Sequence, residues 1–148
     1  MPIEILLVED TPGDIRLTKE AHRETSNFIR LHVVADGALA MTFLRQEGAY
    51  SDSPRPDLIL LDLNLPVMDG RKVLSIIKRD ESLKHVPVFI VTSSDLESDV
   101  TLCKQFIATR YHRKPAHWDG FESLARDISG SWMVEGALSK QNQTEQAD

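Results

Sequence analysis

The sequence predicts a doubly wound α/β fold, one parallel sheet with helices on both faces. Two observations carry the prediction. Short apolar runs alternate five times with segments of helical period, which is the pattern of βα units joined by right-handed crossovers. The runs also end on polar residues: Glu9 and Asp10 after residues 5–8, Asp62 after 58–61, Thr92 after 88–91, and Lys114 soon after Tyr111. Parallel strands place their carboxyl ends on one edge, and doubly wound sheets bind ligands there.

Each element has its own warrant. Residues 3–8 are β-branched and continuous, as in a strand buried on both faces. Thr11 can cap the helix that follows, Pro12 suits its first position, and the periodicity runs to about Glu24. Residues 29–34 form the second strand, with an Asp36-Gly37 turn after it. Ala40, Met41, Phe43 and Leu44 make the stripe of a second helix ending near Gly48. A polar loop, 49–56, leads to the strongest strand, 58–61. Asp69-Gly70 precedes a third helix with the stripe Val73, Leu74, Ile76 and Ile77. Residues 86–91 are the fourth strand, and Val100, Cys103, Phe106 and Ile107 mark the fourth helix. The fifth strand, 109–113, is unusually polar. Phe121, Leu124, Ile128 and Trp132 fall at helical spacing on the fifth helix.

The chain has 148 residues, 41% of them apolar, enough for one domain with a real core. That domain is expected to span 1–136, with a polar, disordered tail at 137–148. The net charge of −6, from 17 basic and 23 acidic residues, argues against nucleic-acid binding. No basic run suggests an anionic membrane surface, and no apolar stretch approaches the ~20 residues of a span. Cys103 is the single cysteine and cannot form an internal disulfide. With a strand starting almost at Met1 and no leader before it, this points to the cytoplasm.

The strand-end residues suit phosphoryl transfer to a carboxylate. A Mg²⁺ ion is held by one or two carboxylates plus substrate oxygens and water, and Mn²⁺ can substitute. Asp10 and Asp62 are placed as ligands, with Glu9 acting through a water and the Asn64 backbone carbonyl completing the shell. Lys114 compensates phosphate charge, the Thr92 hydroxyl donates to another phosphoryl oxygen, and Asp62 is the best-placed nucleophile.

The motifs "LLVEDTPGD", "LILLDLNLPVMDG", "VFIVTSS" and "YHRKP" occur in order and at matching spacing. They resemble the receiver domain of two-component response regulators over roughly residues 3–133. The resemblance implies a flavodoxin-like domain with strand order 2-1-3-4-5 and five helices. It makes Asp62 the phosphoacceptor and Glu9, Asp10, Asp62 and the Asn64 carbonyl the metal site. Thr92 and Lys114 then contact the phosphoryl group, Thr92 and Tyr111 form the switch, and the Lys114–Pro115 bond is cis. Phosphorylation draws Thr92 toward the phosphoryl group, and Tyr111 swings inward behind it.

More narrowly, "VEDTPGDIRLTKEA" and "SPRPDLILLDLNLP", with a tryptophan near the end of the fifth helix, resemble stand-alone regulators paired with bacterial and cyanobacterial phytochrome kinases. The expected partners are therefore a sensor histidine kinase of that type and a second copy of the chain. Too few residues follow for an effector domain, so output is expected through protein contacts. Tyr111 and Trp132 are the expected dimer contacts on the face made by the fourth helix, fifth strand and fifth helix. Met133, Val134 and Leu138 extend the apolar stripe.

Two departures are visible, and one is that the fifth strand is unusually basic, with Arg110, His112 and Arg113 around Tyr111. A Gly-Ala pair is usual before the fifth strand of receivers, where this chain reads Phe106-Ile107-Ala108-Thr109-Arg110. Two other readings stay open. One is a degenerate receiver acting as a phosphorylation-independent scaffold. The other is a phosphatase of the haloacid-dehalogenase type, which needs Asp-X-Asp where position 64 here is Asn.

Overall fold

A computed structural model describes residues 2–25 and 29–130 of the chain. Five strands, β1 (Ile3–Val8), β2 (Ile29–Val34), β3 (Leu58–Leu61), β4 (Val88–Thr92) and β5 (Thr109–Arg113), form one sheet. Their order is β2-β1-β3-β4-β5 and every neighbouring pair is parallel. The helices are α1 (Pro12–Thr25), α2 (Gly37–Leu44), α3 (Gly70–Arg79), α4 (Glu97–Lys104) and α5 (118–130). This is the flavodoxin-like order expected from the sequence.

Strand composition follows position in the sheet. The central strands β1, β3 and β4 are almost wholly buried, and β3 is buried at all four residues. The edge strands are more polar. Arg110 and Arg113 of β5 face solvent, which protects an open edge from pairing with another chain. The polarity of β5 is thus an edge property. Its side chains also pack inward: the Arg110 guanidinium lies 5.6 Å from the Phe89 ring centre, and the His112 ring stacks on Phe89 at 5.6 Å.

The main core joins Leu6, Val8, Ile59, Leu61 and Ile90 of the sheet to residues of α2, α3 and α4. The starts of α2 and α3 are set by carboxylates. Asp36 accepts from the Leu39 amide at 2.7 Å and Asp69 from the Arg71 amide at 2.8 Å. The α3 stripe buries Val73, Leu74 and Ile77, with Ile76 at its margin.

Two expectations need correction. The α4 stripe does not extend to Phe106 and Ile107. The helix stops at Lys104, and Ala108, at φ +58°, turns the chain into β5. Phe106 still packs on the core, but Ile107 is 86% exposed. The Lys114–Pro115 bond is trans, since the described residues contain no cis peptide. The trans form is favoured by about 0.5–1 kcal/mol even before proline.

The chain divides into two compact units, whose described parts are residues 2–16 with 29–114, and 17–25 with 115–130. The first holds the sheet. In the second, Ala21 is buried with Phe121 and Ala125, flanked by Leu17 and Trp118. The predicted tail at 137–148, Trp132 and the apolar extension beyond it lie outside the described residues. No helix among the described residues is long and apolar enough to cross a membrane.

Candidate functional site

Backbone bonds just past the strand ends fix the site before any side chain does. The Glu9 amide donates to the Val34 carbonyl at 3.1 Å, Asp62 to Val8 at 3.1 Å, and Lys114 to Thr92 at 2.8 Å. Each functional residue therefore continues a sheet ladder by one step, and its side chain leaves a rigid edge. Gly70 lets α3 start close by. A Cβ there would lie 2.1 Å from the Asp62 carbonyl oxygen.

The Lys114 ammonium is the hub. Its Nζ lies 2.8 Å from Asp14 Oδ2, 2.9 Å from Glu9 Oε2 and 3.2 Å from Asp62 Oδ2. Burial opposes its charge, but the bonds to Asp14 and Glu9 and the charge of Asp62 outweigh that and hold its pKa above the usual lysine value. Glu9 is buried, and its carboxyl is pushed up by desolvation despite the bonds from Lys114 and the Thr11 amide. Its second oxygen accepts from the amides of Asp10 at 3.1 Å and Thr11 at 3.0 Å, so it also shapes the turn into α1. Asp62 is 5% exposed and accepts the Asn64 amide on Oδ1 at 3.1 Å.

Carboxylate oxygens of Glu9, Asp10 and Asp62 lie within 4.8 Å of one another. Two oxygens on one Mg²⁺ at about 2.1 Å are separated by at most ~4.2 Å, so a small contraction brings all three onto one ion. Asp10 is exposed and so is reachable from solvent. The donor set, all hard oxygens and mostly anionic, fits a divalent cation.

Thr92 is fully buried, and its Oγ1 accepts the Ser94 amide at 3.3 Å. Tyr111 is half-buried against the core and donates its phenol to the Ser94 carbonyl. The exposed Asn64 takes the Arg71 guanidinium on its side-chain oxygen at 3.4 Å.

The structure thus brings Glu9, Asp10, Asp62 and Lys114 together, with Thr92 and Tyr111 joined through Ser94. Trp132 lies outside the described residues. Sequence reasoning missed Asp14, the nearest carboxylate to Lys114 Nζ. An acid in the first turn of a helix reads as a favourable dipole contact, and only its place in "EDTPGD", one turn into α1, hinted at more. It also missed Arg71 and Asp99, paired at 2.6 Å, which belong to α3 and α4 and share no motif.

The family model "Response regulator receiver domain" matches residues 5–125. Response regulator Rcp1 of Synechocystis sp. is 41% identical over 132 residues, covering 89% of this chain and 90% of that protein. Among solved structures, the phosphorylated cyanobacterial phytochrome response regulator RcpA is 41% identical with a TM-score of 0.84, over 90% of this chain and 95% of that one. The Mn(2+)-bound form of Rcp1 is 42% identical with a TM-score of 0.81, over 88% and 94%.

Proposed function

The chain belongs to the response regulator receiver family, and from that premise we propose that Asp62 accepts a phosphoryl group from a histidine kinase in a Mg²⁺-dependent phosphorelay. Phosphorylation on aspartate is typical of the family, and this chain is homologous to regulators of phytochrome signalling. The observation that carries the assignment is the contact of Lys114 Nζ with Asp62 and Glu9, beside a fully buried Thr92. A carboxylate nucleophile and a fixed cation are then in contact, and the residue bearing the hydroxyl is tied to Lys114 through its backbone carbonyl.

In this reading an Asp62 oxygen attacks phosphorus as the bond to the donor nitrogen breaks, leaving a mixed anhydride on Asp62. Glu9, Asp10, Asp62 and the Asn64 carbonyl are the residues to hold Mg²⁺. When bound, the ion neutralises charge on the phosphoryl oxygens. Lys114 does the same with its fixed ammonium, exchanging part of its bonding to Asp14 and Asp62 for a phosphoryl oxygen. Thr92 gives its hydroxyl to another oxygen. That movement pulls on Ser94, which holds both Thr92 and Tyr111, so the side chain of Tyr111 reads the change out.

The haloacid-dehalogenase reading is set aside by family membership. The scaffold reading loses its motive, because the acidic pocket and its lysine are intact. A bacteriophytochrome-type kinase is the proposed partner, supported by homology to Rcp1 and RcpA. A second copy is the proposed partner on the α4–β5–α5 face, and the cytoplasm the proposed compartment. The chain's only catalysis is then its own phosphorylation and dephosphorylation. The test is labelling by acetyl phosphate with Mg²⁺, with and without chelator. Wild type takes up label only with the metal and Asp62→Asn takes up none; label retained on that variant refutes the assignment.

A further inference from the structure

One arginine in the first turn of α3 spans two loops at once. Nε and Nη2 of Arg71 donate to the two oxygens of Asp99 at 2.6 and 2.7 Å. This two-pronged pairing fixes direction as well as charge. The third nitrogen, Nη1, donates to the Leu63 carbonyl at 3.4 Å and to the Asp69 oxygens at 3.2 and 3.1 Å. It also reaches Asn64 Oδ1 at 3.4 Å, so the guanidinium grips the segment that immediately follows Asp62.

Asp99 leads the other way. It is only 3% exposed, and its Oδ2 also accepts the Ser94 hydroxyl at 2.5 Å. Ser94 in turn donates its amide to Thr92 Oγ1 and accepts the Tyr111 phenol on its carbonyl. One continuous set of polar contacts therefore runs from the loop after Asp62, through Arg71 and Asp99, to the loop after Thr92.

Exposed ion pairs hold little, but Asp99 has surrendered its water. The geometry also demands arginine. A lysine ammonium is a point donor and cannot span both Asp99 oxygens while reaching Asn64 and Asp69.

We propose that Arg71 is a positioning residue for phosphoryl transfer: clamped on Asp99, it keeps Ser94 and Thr92 in register with the loop that carries Asp62. The proposal rests on the reading of Asp62 as phosphoacceptor. It deepens that reading by naming what holds the two halves of the phosphoryl pocket together. Among the described residues Arg71 reaches the pocket through the loop after Asp62, and not through Glu9 or Asp10.

The experiment uses the full chain as wild type, Arg71→Lys, Arg71→Gln, Asp99→Asn and the double variant Arg71→Gln/Asp99→Asn. Labelling by acetyl phosphate is followed against Mg²⁺ concentration, and folding is followed by urea melts. A displacement on the order of 1 Å at a reacting centre costs up to about a hundredfold, so the maximal rate should fall at least about tenfold in Arg71→Lys. The rates are compared at saturating Mg²⁺, because Asp62 and the Asn64 carbonyl on the same loop are among the residues proposed to hold the ion. Adding Asp99→Asn to Arg71→Gln should cost little more, because the unit is already broken. Arg71→Gln leaves Asp99 unpaired and is the variant most exposed to unfolding. Arg71→Lys and the double variant leave no buried charge without a counterpart, and they carry the test. A pair that only stabilises would lower the melt and leave the folded protein's rate intact, and that result overturns the proposal. So would strictly additive losses in the two single variants. A labelled wild type with fully active Arg71→Lys sinks the proposal alone, whereas an unlabelled wild type sinks the phosphoacceptor reading beneath it.

Discussion

The start of α3 is pressed against Asp62, the proposed phosphoacceptor, and Gly70→Ala measures how closely. A Cβ at position 70 would lie 2.1 Å from the Asp62 carbonyl oxygen and 2.7 Å from Leu63 Cα. Ordinary contact begins at 3.4 Å, so the helix start and the Asp62 carbonyl must part by about 1.3 Å. Both obstacles are backbone, and no side-chain rotation relieves them. Overpacking of this kind costs about 1–3 kcal/mol, which a urea melt reads as a lower midpoint at unchanged slope. The functional loss should be larger in proportion. The Asp62 amide is bonded to Val8, so the displacement must either break that bond or move the loop through Asn64. A shift of about 1 Å at a reacting group costs up to roughly a hundredfold. The predicted outcome is a folded protein with acetyl-phosphate labelling slowed ten- to a hundredfold by this estimate. Gly70→Ala that labels at the wild-type rate would refute the claim that this approach sets the geometry of Asp62.

Mg²⁺ should stabilise the fold. At a hundredfold excess over Kd the gain is about 2.7 kcal/mol, or roughly 5–10 °C in the melting temperature for a domain of this size; a melt unmoved by Mg²⁺ would remove the metal site. Glu9 has a folded pKa raised by burial, so its charged form is penalised above its ordinary value of 4.5 and the penalty fades as pH falls through the folded value. Glu9→Gln should therefore be more stable than wild type in metal-free buffer near neutral pH, with the gap closing on acidification, as pH-resolved urea melts would show. Lys114→Met leaves Glu9, Asp14 and Asp62 without their shared counter-charge. With the lysine 15% exposed, it should cost roughly 2 kcal/mol without metal, less than the 3–5 of a fully buried pair. Val67 sits at φ +67° and is 83% exposed, so Val67→Gly should raise stability by about 1 kcal/mol through relief of left-handed strain; a lower denaturation midpoint would refute it.

What was legible in the sequence follows the range of the forces involved. Strand ends were readable because burial on both faces forces a continuous apolar run, and the first polar residue after it marks the edge: Glu9, Asp62 and Thr92 were found this way, whereas Lys114, behind the polar β5, was found through the motif "YHRKP". The end of α4 was not. Phe106 is needed by the core and Ile107 merely continues its pattern, so periodicity ran past the point where Ala108 turns the chain. Arg71 and Asp99 were invisible for a different reason. They are 28 residues apart, and only the parallel packing of β3 beside β4 brings their loops together. Asp14 lay within a recognised motif, but its partner is a lysine at the far end of the sheet domain.

Asp14, which sequence reasoning missed, bears on mechanism. Three carboxylates, Glu9, Asp14 and Asp62, contact the Lys114 ammonium, and Asp10 lies beside Glu9 and Asp62, so the pocket carries more negative charge than Lys114 can cancel. An incoming phosphoryl group adds to it. In the proposed reaction a site so charged cannot accept phosphate on electrostatics alone, and the proposed divalent cation supplies the missing positive charge. Asp14 sharpens the point. While unphosphorylated, it occupies a coordination direction of Lys114 Nζ that a phosphoryl oxygen needs. Phosphorylation then exchanges one anion for another on the same ammonium, so the net electrostatic gain at Lys114 is small. In the proposed mechanism the energy that moves Thr92 comes mainly from the new hydroxyl bond and the metal, and it is delivered through Ser94, the residue that Asp99 and Arg71 hold from the other side. The readout is therefore as stiff as that clamp.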